Sequence, residues 1–163
     1  MIPPCPRCGG PVSQVIRRNH TLQSIAEFPV RVKAIPSLVC GRCGGERYES
    51  VDLERVRRDL LLQLMGSPNR VAPHEARYLR SVLRLTQVAL AKRIGIVRVT
   101  VGRWETGELP ISPQNDFILR GLVLAQLLGS GAVRGEVAAA SLGAVRMAEP
   151  RALRGAVVLR KGA

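Results

Sequence analysis

The stretch Leu85-Thr86-Gln87-Val88-Ala89-Leu90-Ala91-Lys92-Arg93-Ile94-Gly95-Ile96-Val97-Arg98-Val99-Thr100-Val101-Gly102-Arg103-Trp104-Glu105-Thr106-Gly107 reads as two short helices with a turn between them. Thr86 is a natural N-cap for the first, whose inner face is Leu90 and Ile94. Helices crossing steeply, at roughly 90–120°, need a small residue at their closest approach, and Ala91 supplies it. Gly95 is free to take the left-handed turn conformation that a side chain opposes. In the second helix Val101 and Trp104 point inward at i, i+3, Gly107 suits the C-terminal cap, and Pro110 stops continuation. An ordinary helical hairpin needs two amphipathic helices but not this order of small residues. The stretch therefore predicts a helix-turn-helix.

Three segments surround it. Residues 1–48 hold all four cysteines and most of the β-branched alternation. Short strands are expected around Val12–Ile16 and Phe28–Ile35, with Val30, Val32 and Ala34 on one face and a turn near Asn19-His20. Residues 49–66 read as a linking helix: Leu53, Val56, Leu60 and Leu64 form one stripe, and Ser50 is the expected N-cap. Gly66-Ser67-Pro68-Asn69 is a linker pattern. A helical domain follows over 72–128, and 129–163, rich in Ala, Gly, Val and Arg, reads as a loosely ordered C-terminal extension. The expected fold class is α+β: a four-cysteine module with a β-hairpin, a linking helix, then an all-α domain.

Cys5-Pro6-Arg7-Cys8-Gly9-Gly10 and Cys40-Gly41-Arg42-Cys43-Gly44-Gly45 are near copies. A Cys-x-x-Cys turn presents two thiolates to one ion, and the glycine after the second cysteine permits the positive φ that turns backbone N–H groups toward sulfur. Two such knuckles complete a tetrahedral shell of Cys5, Cys8, Cys40 and Cys43, closed to water and so structural. The 31 residues between the knuckles exceed the usual zinc-ribbon gap, and a hairpin in that gap would bring them together. Zn2+ is the expected ion. Rubredoxin-like iron uses the same ligands and stays open at this level. His20, the nearest histidine, reads as a turn residue and not as a ligand.

The formal net charge of +13 is spread evenly: the basic excess is four in residues 1–66, five in 67–128 and four in 129–163. A polyanionic partner follows, nucleic acid first, although 22 of the 25 basic residues are arginine and an arginine-rich coding bias would also raise the charge. Pro3, Pro4 and Cys5 break any signal-peptide pattern, and the longest apolar run, 121–129, is far below the roughly 20 residues of a membrane span. The expected location is the cytoplasm, where four cysteines point to a metal and not to disulfides. No catalytic serine, histidine or cysteine set stands at recognisable spacing, and His74 after Pro73 reads as a solvated helix-start residue. An enzyme is not expected.

Residues 83–110 resemble the Xre/Cro-type helix-turn-helix family, with the small alanine, turn glycine, inner valine and Trp-Glu-x-Gly in place. The resemblance implies a recognition helix over 97–104 lying in the major groove, with Arg98, Val99, Gly102 and Arg103 facing out. Arginine can donate two hydrogen bonds to guanine, and Val99 can pack on a thymine methyl. It also implies phosphate contacts from Gln87, with Arg84 and Lys92 as less specific ones. The whole of residues 1–128 resembles the YgiT-type zinc-finger, MqsA-like antitoxin family, through Cys5-x-x-Cys8, Ile35-Pro36 before Cys40-x-x-Cys43-Gly44, Val71-Ala72-Pro73, Leu85-Thr86-Gln87 and Arg103-Trp104-Glu105-x-Gly107. That family implies a homodimer repressing its own promoter at a palindromic operator in double-stranded DNA, and a zinc module that neutralises a toxin, often a ribonuclease. The segment after Gly129 has no counterpart there, and the zinc module here is basic. A toxin-free regulator and a rubredoxin-like redox protein are the alternatives.

Overall fold

The computed structural model describes residues 2–23 and 25–131, together with the backbone of 157–159. In chain order the elements are β1 (Val12–Leu22), β2 (Val30–Cys40), β3 (Glu46–Arg47), α1 (Ser50–Gly66), α2 (Pro73–Val82), α3 (Gln87–Ile94), α4 (Arg98–Thr106), α5 (Pro113–Gly129) and β4 (Val157–Leu159). The fold is α+β. It divides into two compact units, one running to Leu60 and including β4, the other starting at Leu61. The division falls inside α1, the helix that the sequence reads as a linker.

The first unit is built on a long antiparallel hairpin. β1 pairs with β2 from Val12 opposite Cys40 to Leu22 opposite Val30. β3 lies antiparallel on the other edge of β2 near Leu38 and Val39, and β4 pairs parallel with Val30–Val32. Both strands run much longer than the sequence pattern indicates, and the expected turn at Asn19-His20 is not where the chain reverses. Asn19 does take a left-handed conformation, φ 48°, but it lies inside β1, between the paired residues Arg18 and His20, and the reversal falls between Leu22 and Val30. Asparagine tolerates this region because its short polar side chain offsets part of the steric cost. Val30 and Val32 are buried, then burial passes to Ile35 and Ser37, leaving Ala34 exposed, so the buried stripe expected through Ala34 ends at Val32.

α1 begins one residue earlier than expected. Leu53 donates its N–H to the Glu49 carbonyl, so Glu49 is the cap and Ser50 already lies in the helix. Val56, Leu60, Leu61, Leu64 and Met65 are buried along it, while Leu53 is only half-buried.

In the second unit α2 packs against α4 and α5, and α3 packs against α4. Pro73 opens α2 at the position where a missing N–H costs nothing. Glu75 reaches back to accept from the Ala72 N–H at 2.8 Å. Thr86 caps α3 as expected, accepting from Ala89 N–H at 3.1 Å, and Ser112 caps α5 through Asn115 N–H. Gly95 and Gly107 close α3 and α4 in the left-handed region, φ 75° and 83°. Leu90, Ala91, Val101, Trp104, Leu119, Val123, Leu124 and Leu127 form the core.

One buried arginine organises the start of this unit. Arg120, 1% exposed, pairs with Asp116 one turn back at 2.9 Å. Its guanidinium also donates to the carbonyls of Leu64, Met65, Ser67 and Asn69. These are the acceptors left open where α1 ends and the 66–69 connection turns. A buried charge is tolerated only when its hydrogen bonds are made, and here the fork is saturated. Arg120→Met is expected to lower stability by about 3–5 kcal/mol, because it leaves Asp116 unpaired and four carbonyls without a donor. Chemical denaturation followed by circular dichroism measures it, and a loss below about 1 kcal/mol would contradict this role.

Candidate metal centre and nucleic-acid interface

The hairpin register explains how distant cysteines meet. Val12 opposite Cys40 sets the chain just after the first knuckle beside the start of the second, and Gly41 N–H donates to the Pro11 carbonyl at 3.0 Å. The two knuckles then repeat one design. Cys5 N–H donates to Gly10 O, and Cys40 N–H to Gly45 O. Gly9 N–H donates to Cys5 O, and Gly44 N–H to Cys40 O. Gly9 and Gly44 carry matching positive φ, 67° and 66°.

The four Sγ atoms lie within 4.8 Å of one another, with Cys5–Cys43 at 3.7 Å and Cys8–Cys40 at 3.5 Å. A tetrahedral ion with bonds of about 2.3 Å to sulfur requires S···S edges of about 3.8 Å. The cluster fits that requirement, and all four cysteines are free of disulfides. Its electrostatics point the same way. Backbone N–H groups of Cys43 and Arg42 hold the Cys40 thiol down to about 6, against its burial. The Gly10 N–H acts likewise on Cys8, but the neighbouring thiols, Cys40 foremost, and burial push it up to about 12. Four sulfurs this close cannot all ionise without a cation among them. His20 is not a turn residue: it lies in β1 with Nε2 2.7 Å from the Tyr48 hydroxyl.

α3, the 95–97 turn and α4 carry the second site. Val97 is the N-cap of α4 and lies outside the helix, which runs on to Thr106. Arg98, Val99 and Arg103 are exposed and Gly102 is half-exposed, while Val101 and Trp104 are buried on the opposite side. These outward positions form i, i+4 pairs on one face. Arg103 is loosely paired with Glu108 at 3.8 Å, both exposed. Arg84 is exposed at φ 55° in the connection before α3. Lys92 is exposed one turn after Val88 on α3. Val88, Val97 and Val99 are each more than half exposed, an unusual concentration of β-branched apolar residues on a basic stretch.

Glu105 locks this arrangement. It accepts from Arg80 through both oxygens and from Gln87 Nε2 at 2.9 Å, and Arg80 also donates to the Leu85 carbonyl at 2.8 Å. Thus α2, α3 and α4 are tied through one carboxylate. Gln87 is partly committed to this network and lies over Gly102, whose absent Cβ would stand 3.9 Å from Gln87 Oε1. Sequence reasoning missed the network because its members are 25 and 18 residues apart. The only available signal was two opposite charges flanking the motif. Burial opposes ionisation of Glu105, but the hydrogen bonds from Arg80 and Gln87 outweigh it and lower its pKa. His74, half-buried, has its pKa lowered by desolvation.

Comparison with protein-family models, with curated proteins and with solved structures finds no match for this chain.

Two outcomes follow. A Cβ at Gly10 would stand 2.7 Å from Arg42 Cβ and 3.1 Å from Cys40 Sγ, so Gly10→Ala is expected to lower bound metal well below one ion per chain in elemental analysis, while Gly121→Ala leaves it unchanged. Because the Glu105 pKa is depressed on folding, its contribution is present above the ordinary glutamate range and lost as pH falls through the lowered value. Melting temperatures recorded from pH 7 to pH 3 should show this loss in the native protein. In Glu105→Gln the acid-dependent component should be absent, with lower stability at pH 7.

Proposed function

We propose that this protein is a sequence-specific, double-stranded-DNA-binding transcription regulator. The observation that carries this reading is the outward face of α4: Arg98, Val99, Gly102 and Arg103 exposed, backed by buried Val101 and Trp104 and fixed by the Arg80–Glu105–Gln87 network. A helix with two exposed arginines, a glycine that allows close approach and an exposed apolar methyl pair matches what major-groove readout uses. The resemblance to the Xre/Cro type supports the same assignment. In this reading the first-turn N–H groups of α3 and the amide of Gln87 meet phosphate, and Arg84 and Lys92 add contacts without sequence preference.

A single unit of this size reads few base pairs, so the regulator acts as a homodimer on a palindrome. α5 offers a surface for it: Phe117, Ile118 and Leu128 are exposed, whereas Leu127 belongs to the core and Leu122 is half-buried. Val133, Val137 and Leu142, in a tail for which the sequence leaves open a place in the interface or only added positive charge near DNA, lie outside the described residues.

The four-cysteine cluster takes Zn2+ in this reading. Bound there, the ion cross-links the two knuckles and leaves no open position for chemistry. Resemblance to the YgiT-type family extends the role to an autorepressing antitoxin whose first unit binds a toxin. Within that unit β1 pairs only with β2 among the described residues, and Val15 and Ile16 are exposed on it. A toxin-free regulator needs no such surface, and co-purification of a small ribonuclease from its own host distinguishes the two.

Selection of bound sequences from random DNA is expected to return a palindrome with half-sites about 10 bp apart or a multiple of that. Arg103→Ala should cost roughly 1–3 kcal/mol at one base position, and Lys92→Ala should weaken all sequences alike. Equal losses on selected and random duplexes would remove Arg103 from the readout.

A further inference from the structure

The second unit contains a cleft that DNA binding does not use. It has a volume of about 300 Å³ and lies between the entry to α2 and the loop leading from α4 to α5. Val71, Pro73 and Ala76 form one wall, and Trp104, Pro110 and Ile111 the other. This volume is at the small end of ligand pockets, roughly 300–1,000 Å³, and the mainly apolar lining is typical of them.

One polar group breaks the apolar lining. Arg70 borders the cleft, is half-buried, and makes no side-chain hydrogen bond or ion pair among the described residues. A guanidinium drawn partly out of water without an acceptor is costly, and most native structures pair it. Arg120, remote in sequence but bonded to the carbonyl of Asn69 just before Arg70, shows the contrast: its donors are saturated by Asp116 and carbonyls. Arg70 has no such set. A planar carboxylate is the acceptor that matches a guanidinium fork best.

We propose that this cleft binds a small apolar carboxylate, its anionic group on Arg70 and its body against Trp104 and Ile111. The assignment stands apart from the DNA reading. Its regulatory consequence depends on that reading, since Trp104 is the inward residue of the helix that carries Arg103 and a ligand wedged against it bears on α4.

Trp104 is the single tryptophan of the chain, so its emission reports the cleft directly. Phenylacetate titrated into the full-length, metal-loaded protein, with excitation above the absorbance of the ligand, should change the emission saturably. 2-Phenylethanol, of the same shape without the charge, should bind at least tenfold more weakly. Arg70→Gln should abolish that preference, and Arg70→Lys should keep part of it. Ile111→Trp is avoided because it adds a second fluorophore; Ala76→Leu, narrowing the cleft, should weaken both probes. Melting curves establish that each variant is folded, and an unfolded Arg70→Gln leaves the charge test to Arg70→Lys and to the two probes on the native protein. No saturable change, equal affinity for acid and alcohol, or an undiminished preference in folded Arg70→Gln would overturn the proposal. Failure of DNA selection with intact phenylacetate binding would overturn the DNA reading alone.

Discussion

Glu105 stands on the inner flank of α4 with its side chain almost wholly withdrawn from solvent, and it accepts from residues on α2 and α3. A carboxylate in that position is tolerable only because the charged fork of Arg80 and the amide of Gln87 satisfy its oxygens. The geometry of the outward face depends on it. α4 has only nine residues and little capping help, since Val97 offers no side-chain cap, so packing and this network fix its rotation. With Val101 and Trp104 held inward, the helical period leaves Arg98, Val99, Gly102 and Arg103 no other direction than outward.

The first unit rests on a different constraint. Two Cys-x-x-Cys knuckles separated by 31 residues can share an ion only if the intervening chain returns to its starting point. The hairpin does so because its pairing places Val12 opposite Cys40 and keeps one register along its length. A slip by one residue would carry every side chain to the opposite face and separate the knuckles. The left-handed Asn19 leaves the register unaltered, which is why it coexists with a cluster that needs exact return. Nearby, Glu46 is held down to about 2 by the Arg17 guanidinium, which ties β3 to β1 over the strand between them.

What the sequence made legible is local. Thr86, Gly95 and Gly107 act through their own backbone and nearest neighbours, so residue type and spacing suffice to place them. The cysteine pairs are legible for the same reason: each knuckle is a six-residue object. The errors come where partners are remote. Asn19 carries a turn signal that the pairing of β1 with β2 overrides, because ten residue pairs in register outweigh one left-handed residue. Ala34 is exposed where the pattern expects it to continue the buried stripe, because burial there depends on what covers the strand and not on alternation alone. Ser50 is displaced by one position, within the fraying that helix starts allow. The Glu105 network and the buried Arg120 could not be read at all. Local pattern assigns arginine to the surface, and only the carbonyls at the end of α1, more than fifty residues away, give this one a reason to be inside.

That placement alters what the net charge means. A charge of +13 invites the idea that every arginine serves a polyanion, yet Arg120 is sealed in the core, Arg80 is matched by Glu105, and Arg17 by Glu46. These positions use the planar fork: five donors in fixed directions can satisfy a carboxylate and several carbonyls together, which lysine cannot do. Part of the arginine excess is therefore architectural. The basic side chains left exposed around α3 and α4 are Arg84, Lys92, Arg93, Arg98 and Arg103, with Arg103 only loosely held by an equally exposed Glu108. In the proposed reading, this is the set presented to nucleic acid around α3 and α4. Because the network behind it is rigid, the set presents direction as well as charge, and direction is what separates readout of a sequence from adhesion to a backbone.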